Sequence, residues 1–168
     1  MASTDTAVRW AGALSIALVL SACSAEPTSE EVEQRAREIQ QWMGARNEGG
    51  VAGTLGAGAG LVSPLDEVPH DQAGRQTPGV TLSYETPVVL EGVLASCFGD
   101  GTVDLTVHVA TVSGEITYDT STEFPDLPCG EDSELTLEAD DVTAIGFSVS
   151  GVERDGAYSA VALGTPPP

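Results

Sequence analysis

Alternation of apolar and polar residues dominates the chain from Val80 onward and predicts β-strands. The clearest case is residues 102–112, whose apolar face comprises Val103, Leu105, Val107, Val109 and Thr111. Similar patterns predict strands at 80–85, 88–96, 115–120, 135–139, 142–150 and 157–163. Short strands separated by turn residues are typical of an antiparallel β-sandwich, Ig-like or jelly-roll in style, which we predict over residues 80–164.

The last two predicted strands are expected to meet across the core. The first of these strands is expected to bury Ile145, Phe147 and Val149. The second is expected to pack Tyr158, Ala160 and Ala162 against them. The turn segments 99–101, 113–114 and 154–156 separate several strands at hairpin spacing. Residues 165–168 end the chain with three prolines, which cannot donate ladder hydrogen bonds, so this segment is predicted to be a frayed tail.

A short helix is predicted ahead of the sheet, over about residues 28–43. Thr28 and Glu31 have the spacing of a capping box, and Gly44 is a candidate stop. Favourable i,i+4 pairs join Glu31 to Arg35 and Glu33 to Arg37. The apolar stripe is narrow and consists of Val32, Ala36, Ile39 and Met43. We expect it to pack on the domain; a partner helix and a bare spacer are the alternatives.

Residues 44–79 are rich in Gly, Ala and Pro and predict a flexible linker. Such a stretch loses much conformational entropy on ordering and offers little side-chain area to bury. The alternative is that Leu61, Val62 and Leu65 dock on the domain. The segment is not a phosphate-binding loop, because the chain contains no lysine.

The N-terminal residues carry a targeting pattern. An apolar stretch runs from Ala11 to Leu20, about the length of a signal-peptide core and too short to span a bilayer. It leads into Leu20-Ser21-Ala22-Cys23, which resembles the lipobox of bacterial lipoprotein precursors. The resemblance implies a signal peptide at 1–22, acylation of Cys23 with chains such as palmitate, and a position on the extracytoplasmic face of the cell membrane. An ordinary cleaved signal peptide is the alternative.

With Cys23 assigned to lipid, two cysteines remain. Cys97 and Cys129 are expected to form a disulfide, because disulfides persist outside the cytoplasm. A cysteine nucleophile or a metal site is the alternative, but neither a CxxC spacing nor a nearby histidine supports it.

The formal net charge is −20 at pH 7, and every cation is an arginine. Removing residues 1–22 leaves this charge unchanged, since one arginine and one aspartate are lost. Such acidity argues against a nucleic-acid partner, whose phosphates need clustered cations. It also disfavours adhesion to anionic lipid, so the acyl chains must provide the anchor. Solubility explains the charge most simply; a cationic or metal-bearing partner is the alternative.

Candidate catalytic chemistry is sparse. His108 falls on the polar face of its strand, where a solvated residue is expected. A Ser-His-Asp set can be drawn with Asp104 and either Ser96 or Ser113, but nothing indicates that they converge and no nucleophile-elbow motif is present. His70 lies in the predicted linker and is interpreted as a surface residue. We therefore predict no catalytic residue and no cofactor.

The carboxylates raise the question of calcium. Several fall near predicted turns, namely Asp100, Asp104, Glu131, Asp132, Asp140 and Asp141. Oxygen ligands suit Ca²⁺, and two carboxylates suit a glycosidase, but no EF-hand spacing is present and a sugar groove is not evident. We predict no metal site.

These patterns predict a membrane-anchored lipoprotein with a lipidated tether over 23–79 and a non-catalytic binding domain. Its expected contacts are the bilayer, through acylated Cys23, and an envelope protein or glycan. The alternative is a cell-envelope hydrolase or the accessory subunit of an envelope enzyme.

Overall fold

The structure is a computed structural model that describes residues 28–48, 50–62, 70, 77–151 and 156–166. The predicted signal peptide and Cys23 lie outside the described residues. The described elements are α1 (Ser29–Glu48) and the strands β1 (Thr54–Leu61), β2 (Val80–Phe98), β3 (Thr102–Ser113), β4 (Ile116–Pro128), β5 (Asp132–Leu135), β6 (Ala139–Gly151) and β7 (Ala157–Thr165). The prediction of a mainly β fold with one N-terminal helix is confirmed.

The strands form an antiparallel sheet in the order β1-β7-β2-β6-β3-β4, with β5 also paired to β2. The long strand β2 serves two layers. Its first part, from Val80 to Leu90, pairs with β6, and its last part, from Val89 to Phe98, pairs with β7. One layer therefore contains β1, β7 and β5, the other contains β6, β3 and β4, and β2 links them. The antiparallel, β-sandwich-like architecture agrees with the prediction.

The core lies between the two layers and uses the predicted faces. Val103, Leu105, Val107 and Val109 are buried, whereas Thr111 at the end of the same stripe is only half-buried. Ile145, Phe147 and Val149 share one hydrophobic cluster with Tyr158, Ala160 and Ala162, as expected. The Cys97–Cys129 disulfide is present and joins the end of β2 to the residue that follows β4.

The prediction of a flexible linker over 44–79 is wrong for the glycine-rich run, which forms β1. Gly56, Gly58 and Gly60 alternate along one face of this strand, while β1 pairs with β7. A Cβ atom at Gly58 would lie 2.8 Å from Cγ1 of Val80, and one at Gly56 would lie 2.9 Å from Cδ1 of Leu82. The glycines are therefore the face that lets β1 approach β2 closely, because any side chain would collide there.

Helix α1 packs on the sandwich, as predicted, but it is longer than expected. The capping box is confirmed: the Thr28 amide donates to Glu31 Oε2 at 2.7 Å, and the Glu31 amide donates to Thr28 Oγ1 at 3.3 Å. The helix continues through Gly44 to Glu48, since helix propensity is only a weak guide where tertiary contacts hold the last turns.

The packed face of α1 differs from the predicted stripe. Ile39 is buried, but Val32 and Ala36 are exposed. Instead, Trp42 contacts Phe98 with ring centroids 6.0 Å apart, and Arg46 forms a 2.7 Å ion pair with Asp132. The Arg35 guanidinium lies 4.5 Å from the centre of the Phe98 ring, so the predicted Glu31–Arg35 pair is replaced by a cap and a cation–π contact. The Glu33–Arg37 pair forms at 3.7 Å.

Several strand boundaries also differ. The predicted strands at 80–85 and 88–96 are one strand, β2, whose register with β6 shifts between Ser83 and Val88. β4 extends to Pro128, where an edge position tolerates proline. β5 ends at Leu135 rather than beginning there. Thr165 belongs to β7 and pairs with Val89, so the predicted tail starts one residue too early. In the described part of the chain, no helix is long and apolar enough to cross a membrane.

Candidate functional site

A groove with several polar side chains lies on the outer face of the layer formed by β2, β6, β3 and β4. Its volume is about 270 Å³. The lining residues with hydrogen-bonding side chains are Thr77, Thr81, His108, Asp119, Thr120 and Ser121. By contrast, a cavity between the two layers measures about 10 Å³, room for one water molecule and none for an organic ligand. The groove is therefore a better candidate for a binding site than this cavity.

Small residues and a covering segment, residues 77–79, create this groove. The floor includes Ala110, Ala144 and Gly146, which project little or nothing above the sheet. Pro78 lies over Gly146 so closely that a Cβ atom at Gly146 would fall 2.6 Å from the proline ring. The covering segment is held by a hydrogen bond from the Gly79 amide to the Phe147 carbonyl at 2.9 Å. Glycine at 146 thus lets the segment close one side of the groove.

His108 stands at the centre of a hydrogen-bond chain in the groove. The register of β3 and β4 places it opposite Ser121, and that of β3 and β6 places Ser148 two residues beyond its partner Gly146. Nδ1 of His108 lies 2.9 Å from Ser121 Oγ, and Nε2 lies 3.1 Å from Ser148 Oγ. Ser148 Oγ in turn donates to the Thr77 carbonyl at 3.2 Å. The expectation of a merely solvated histidine is wrong, because the covering segment and β4 half-bury the ring.

The chain of hydrogen bonds assigns the tautomer of His108. Ser148 has one hydroxyl proton, and the Thr77 carbonyl can only accept it. Ser148 Oγ therefore accepts from Nε2–H, which leaves Nδ1 of the neutral ring as the acceptor of the Ser121 hydroxyl proton. This assignment satisfies all three contacts, whereas the opposite one leaves Ser148 and the Thr77 carbonyl with two facing lone pairs.

Burial lowers the pKa of His108 below its ordinary value of 6.5, because desolvation disfavours the imidazolium. Among the described residues of this face, Asp119 and Glu123 flank Ser121 on β4, and Asp104 lies four residues before His108 on β3. The facing residues of β6 and residues 77–79 are uncharged. At neutral pH the ring is therefore neutral and can hold the tautomer assigned above.

The lowered pKa predicts a pH-dependent contribution to stability. The unfolded chain binds the His108 proton more readily, so this contribution is present above pH 6.5 and is lost as the pH falls through the folded-state pKa. Urea denaturation should show that the free energy of unfolding falls between about pH 7.5 and about pH 5.5 in the native chain. The fall should be smaller in the His108→Gln variant. The exposed His70 provides the control: His70→Gln should behave as the native chain does. Identical pH profiles for both variants would contradict this expectation.

The Ser-His-Asp sets drawn from the sequence do not form. Asp104 accepts a hydrogen bond from the Asp126 amide at 3.0 Å, and Ser96 donates to Asp132 at 2.7 Å, on the face that α1 covers. Ser113 ends β3, five residues beyond His108. The two serines that do contact His108 belong to β4 and β6, so pairing between strands, rather than position along one strand, determines its partners.

The acidic residues proposed for calcium are dispersed. Asp132 is engaged by Arg46 and Ser96, Asp104 by Asp126, and Asp100 is exposed in the turn before β3. Among the residues that the structure describes, no group of three or more His, Cys, Asp or Glu side chains is arranged to hold a metal ion.

Sequence reasoning missed Ser121 and Ser148, although a signal existed for the first. Counting outward from the predicted turn at 113–114 pairs His108 with residue 119, two positions from Ser121 and on the same face of the strand. Ser148 carries no comparable signal, because β6 reaches His108 from a distant part of the chain.

Comparison with known proteins found no match: no family model, no curated protein and no solved structure resembles this chain. Its function must therefore be inferred from its own residues.

Proposed function

We propose that this chain is a membrane-anchored extracytoplasmic lipoprotein whose β-sandwich binds a ligand or partner of the cell envelope without catalysis. The observation that carries the binding proposal is the groove around His108, where hydrogen-bonding side chains from β2, β3 and β4 converge beside a half-buried, neutral histidine. The anchor is proposed from the lipobox resemblance at Cys23.

Docking of α1 supports a domain held close to the membrane. Five residue steps separate Cys23 from Thr28, a distance of at most about 18 Å in any conformation. From Thr28 onward the helix is fastened to the sandwich by buried Ile39 and by the Arg46–Asp132 ion pair. The long flexible spacer expected from the sequence is thus absent between α1 and the sheet, so the groove would operate near the lipid surface.

Site-specific crosslinking tests the proposal in cells. A photoreactive amino acid at Thr81, an exposed groove residue, should yield a defined adduct in native membranes. The same group at Glu134, an exposed residue of β5, is the control and should not yield that adduct. Cys23→Ala should remove the protein from the membrane fraction and reduce the adduct. An adduct formed equally from both positions, or from neither, would contradict a binding role for the groove.

A cell-envelope hydrolase is the second candidate, and the Ser121–His108 contact favours it. A serine hydroxyl that donates to a histidine, itself oriented by a third group, has the form of an activated nucleophile. It ranks second because both ring nitrogens of His108 are engaged by serine hydroxyls, so a carboxylate does not stabilise the imidazolium. If a fluorophosphonate labels the native protein and the Ser121→Ala variant is not labelled, the hydrolase becomes the favoured function. If the native protein is not labelled, the hydrolase is rejected.

A further inference from the structure

The hydrogen-bond chain leaves Ser121 Oγ as a hydrogen-bond acceptor in the groove. Ser121 directs its only hydroxyl proton to Nδ1 of His108, so the remaining lone pairs of Ser121 Oγ are free for a ligand. The proton of Ser148 is committed to the Thr77 carbonyl, and that of His108 to Ser148. A ligand that meets Ser121 in this state must therefore supply the donor.

The charge of the groove also favours a ligand that donates hydrogen bonds, because it favours a cation. Among the residues that the structure describes, Asp119 is the carboxylate of the groove lining, and Glu123 follows four residues later on the same face of β4. The arginines of α1 are all engaged elsewhere, Arg35 on Phe98, Arg37 with Glu33 and Arg46 with Asp132. The net charge of −20 adds a long-range field that concentrates cations and repels anions.

Size limits what can enter. A volume of about 270 Å³ is smaller than a typical site for a drug-sized molecule and suits a single side chain or a small organic group. The small floor residues Ala110, Ala144 and Gly146 leave room for an alkyl stem, and Asp119 and Ser121 stand at β4 to meet its polar end.

We propose that the groove binds a cationic hydrogen-bond donor, a guanidinium or ammonium group, held by the Asp119 carboxylate and Ser121 Oγ. The inference rests on the proposed binding function and names its ligand class. The group belongs either to a basic side chain of a partner polypeptide or to a free small amine. The two sources present the same cationic donor to the groove. They differ in whether a peptide backbone is attached to it.

Titration of the full mature chain in a nonionic detergent tests this, with the amide NMR signals of His108 and Ser121 as the readout. Three probes are compared: N-acetyl-arginine methylamide, its uncharged isostere N-acetyl-citrulline methylamide, and propylguanidinium. The arginine probe should bind about two- to fivefold more tightly than the citrulline probe, as expected for a partly exposed charge pair. Propylguanidinium separates the sources: weaker binding than the arginine probe indicates a polypeptide side chain, and equal binding indicates a free amine.

Matched variants locate the interaction. Asp119→Asn should weaken the arginine probe about fivefold, whereas Glu134→Gln, which changes the net charge equally on β5, should leave its affinity within about twofold. Equal affinity for the citrulline probe would overturn the cationic ligand class while leaving groove binding intact. An absence of shifts at His108 and Ser121 with every probe would overturn the inference itself, and crosslinking from position 81 would still decide the proposed function.

Discussion

Replacing both Cys97 and Cys129 with alanine is expected to lower the free energy of unfolding by about 3.5–4 kcal/mol. The disulfide closes a loop across a sequence separation of 32 residues, and in the chain-entropy model its loss frees that loop mainly in the unfolded state. A small domain has a stability of about 5–15 kcal/mol, so this loss removes a large part of it. Urea denaturation of the native and double-alanine chains, both in a Cys23→Ser background, measures the difference.

Two backbone hydrogen bonds beside the disulfide allow this comparison to measure the effect of the disulfide on the unfolded chain. The Gly130 amide donates to the Cys97 carbonyl at 3.0 Å, and the Cys129 amide donates to the Gly101 carbonyl at 2.9 Å. These backbone hydrogen bonds hold the two segments together in the folded state without the sulfur atoms. The variant should therefore fold to the same structure with a lower midpoint. An unchanged midpoint would show that the bridge does not constrain the unfolded chain.

Gly58→Val is expected to destabilise the domain by about 1–3 kcal/mol, the usual cost of overpacking a filled core. The added Cβ would lie 2.8 Å from Val80 Cγ1 and 3.2 Å from Phe147 Cδ2, and Phe147 is fully buried and has nowhere to move. Valine favours strands intrinsically, but that preference spans only about 1 kcal/mol and does not offset the collision. Thermal and urea unfolding of the variant measure the net effect.

Ala57→Val is the matched control for this substitution. Ala57 is the preceding residue of β1, points to the opposite face and is exposed, so valine there should change stability by no more than about 0.5 kcal/mol. A difference between the two variants requires that this run be an ordered strand with an inner and an outer face. Equal, negligible effects would restore the interpretation of this run as a flexible linker.

The order of β1 matters for how the protein would function at a membrane. With β1 in the sheet and α1 on the sandwich, the described helix and strands form one packed unit. If the proposed anchor at Cys23 holds, the groove would lie near the lipid surface and would suit a partner or ligand that is itself close to the membrane. The proposed cationic ligand is compatible with that location, since anionic lipids concentrate small cations and basic segments at their surface.

Local patterns in the sequence were sufficient for much of the architecture. Period-two alternation identified the buried faces of β3 and β6, since side-chain direction in a strand alternates strictly. The Thr28–Glu31 box located the start of α1, because the cap is made by residues three positions apart. The Cys97–Cys129 pair followed once Cys23 was assigned to lipid by its resemblance to a lipobox. Each of these inferences depends on neighbours in the chain or on elimination.

Only the tertiary structure decided the role of the glycine-rich run and the partners of His108. Glycine carries no hydrophobic signal, so the sequence did not indicate that this run pairs with β7 or that its glycines face Val80, Leu82 and Phe147. His108 meets Ser121 and Ser148 through pairing with β4 and β6, the latter some 40 residues away along the chain. Contacts between distant segments depend on sheet register, which follows from the packing of the whole core rather than from any local stretch of sequence.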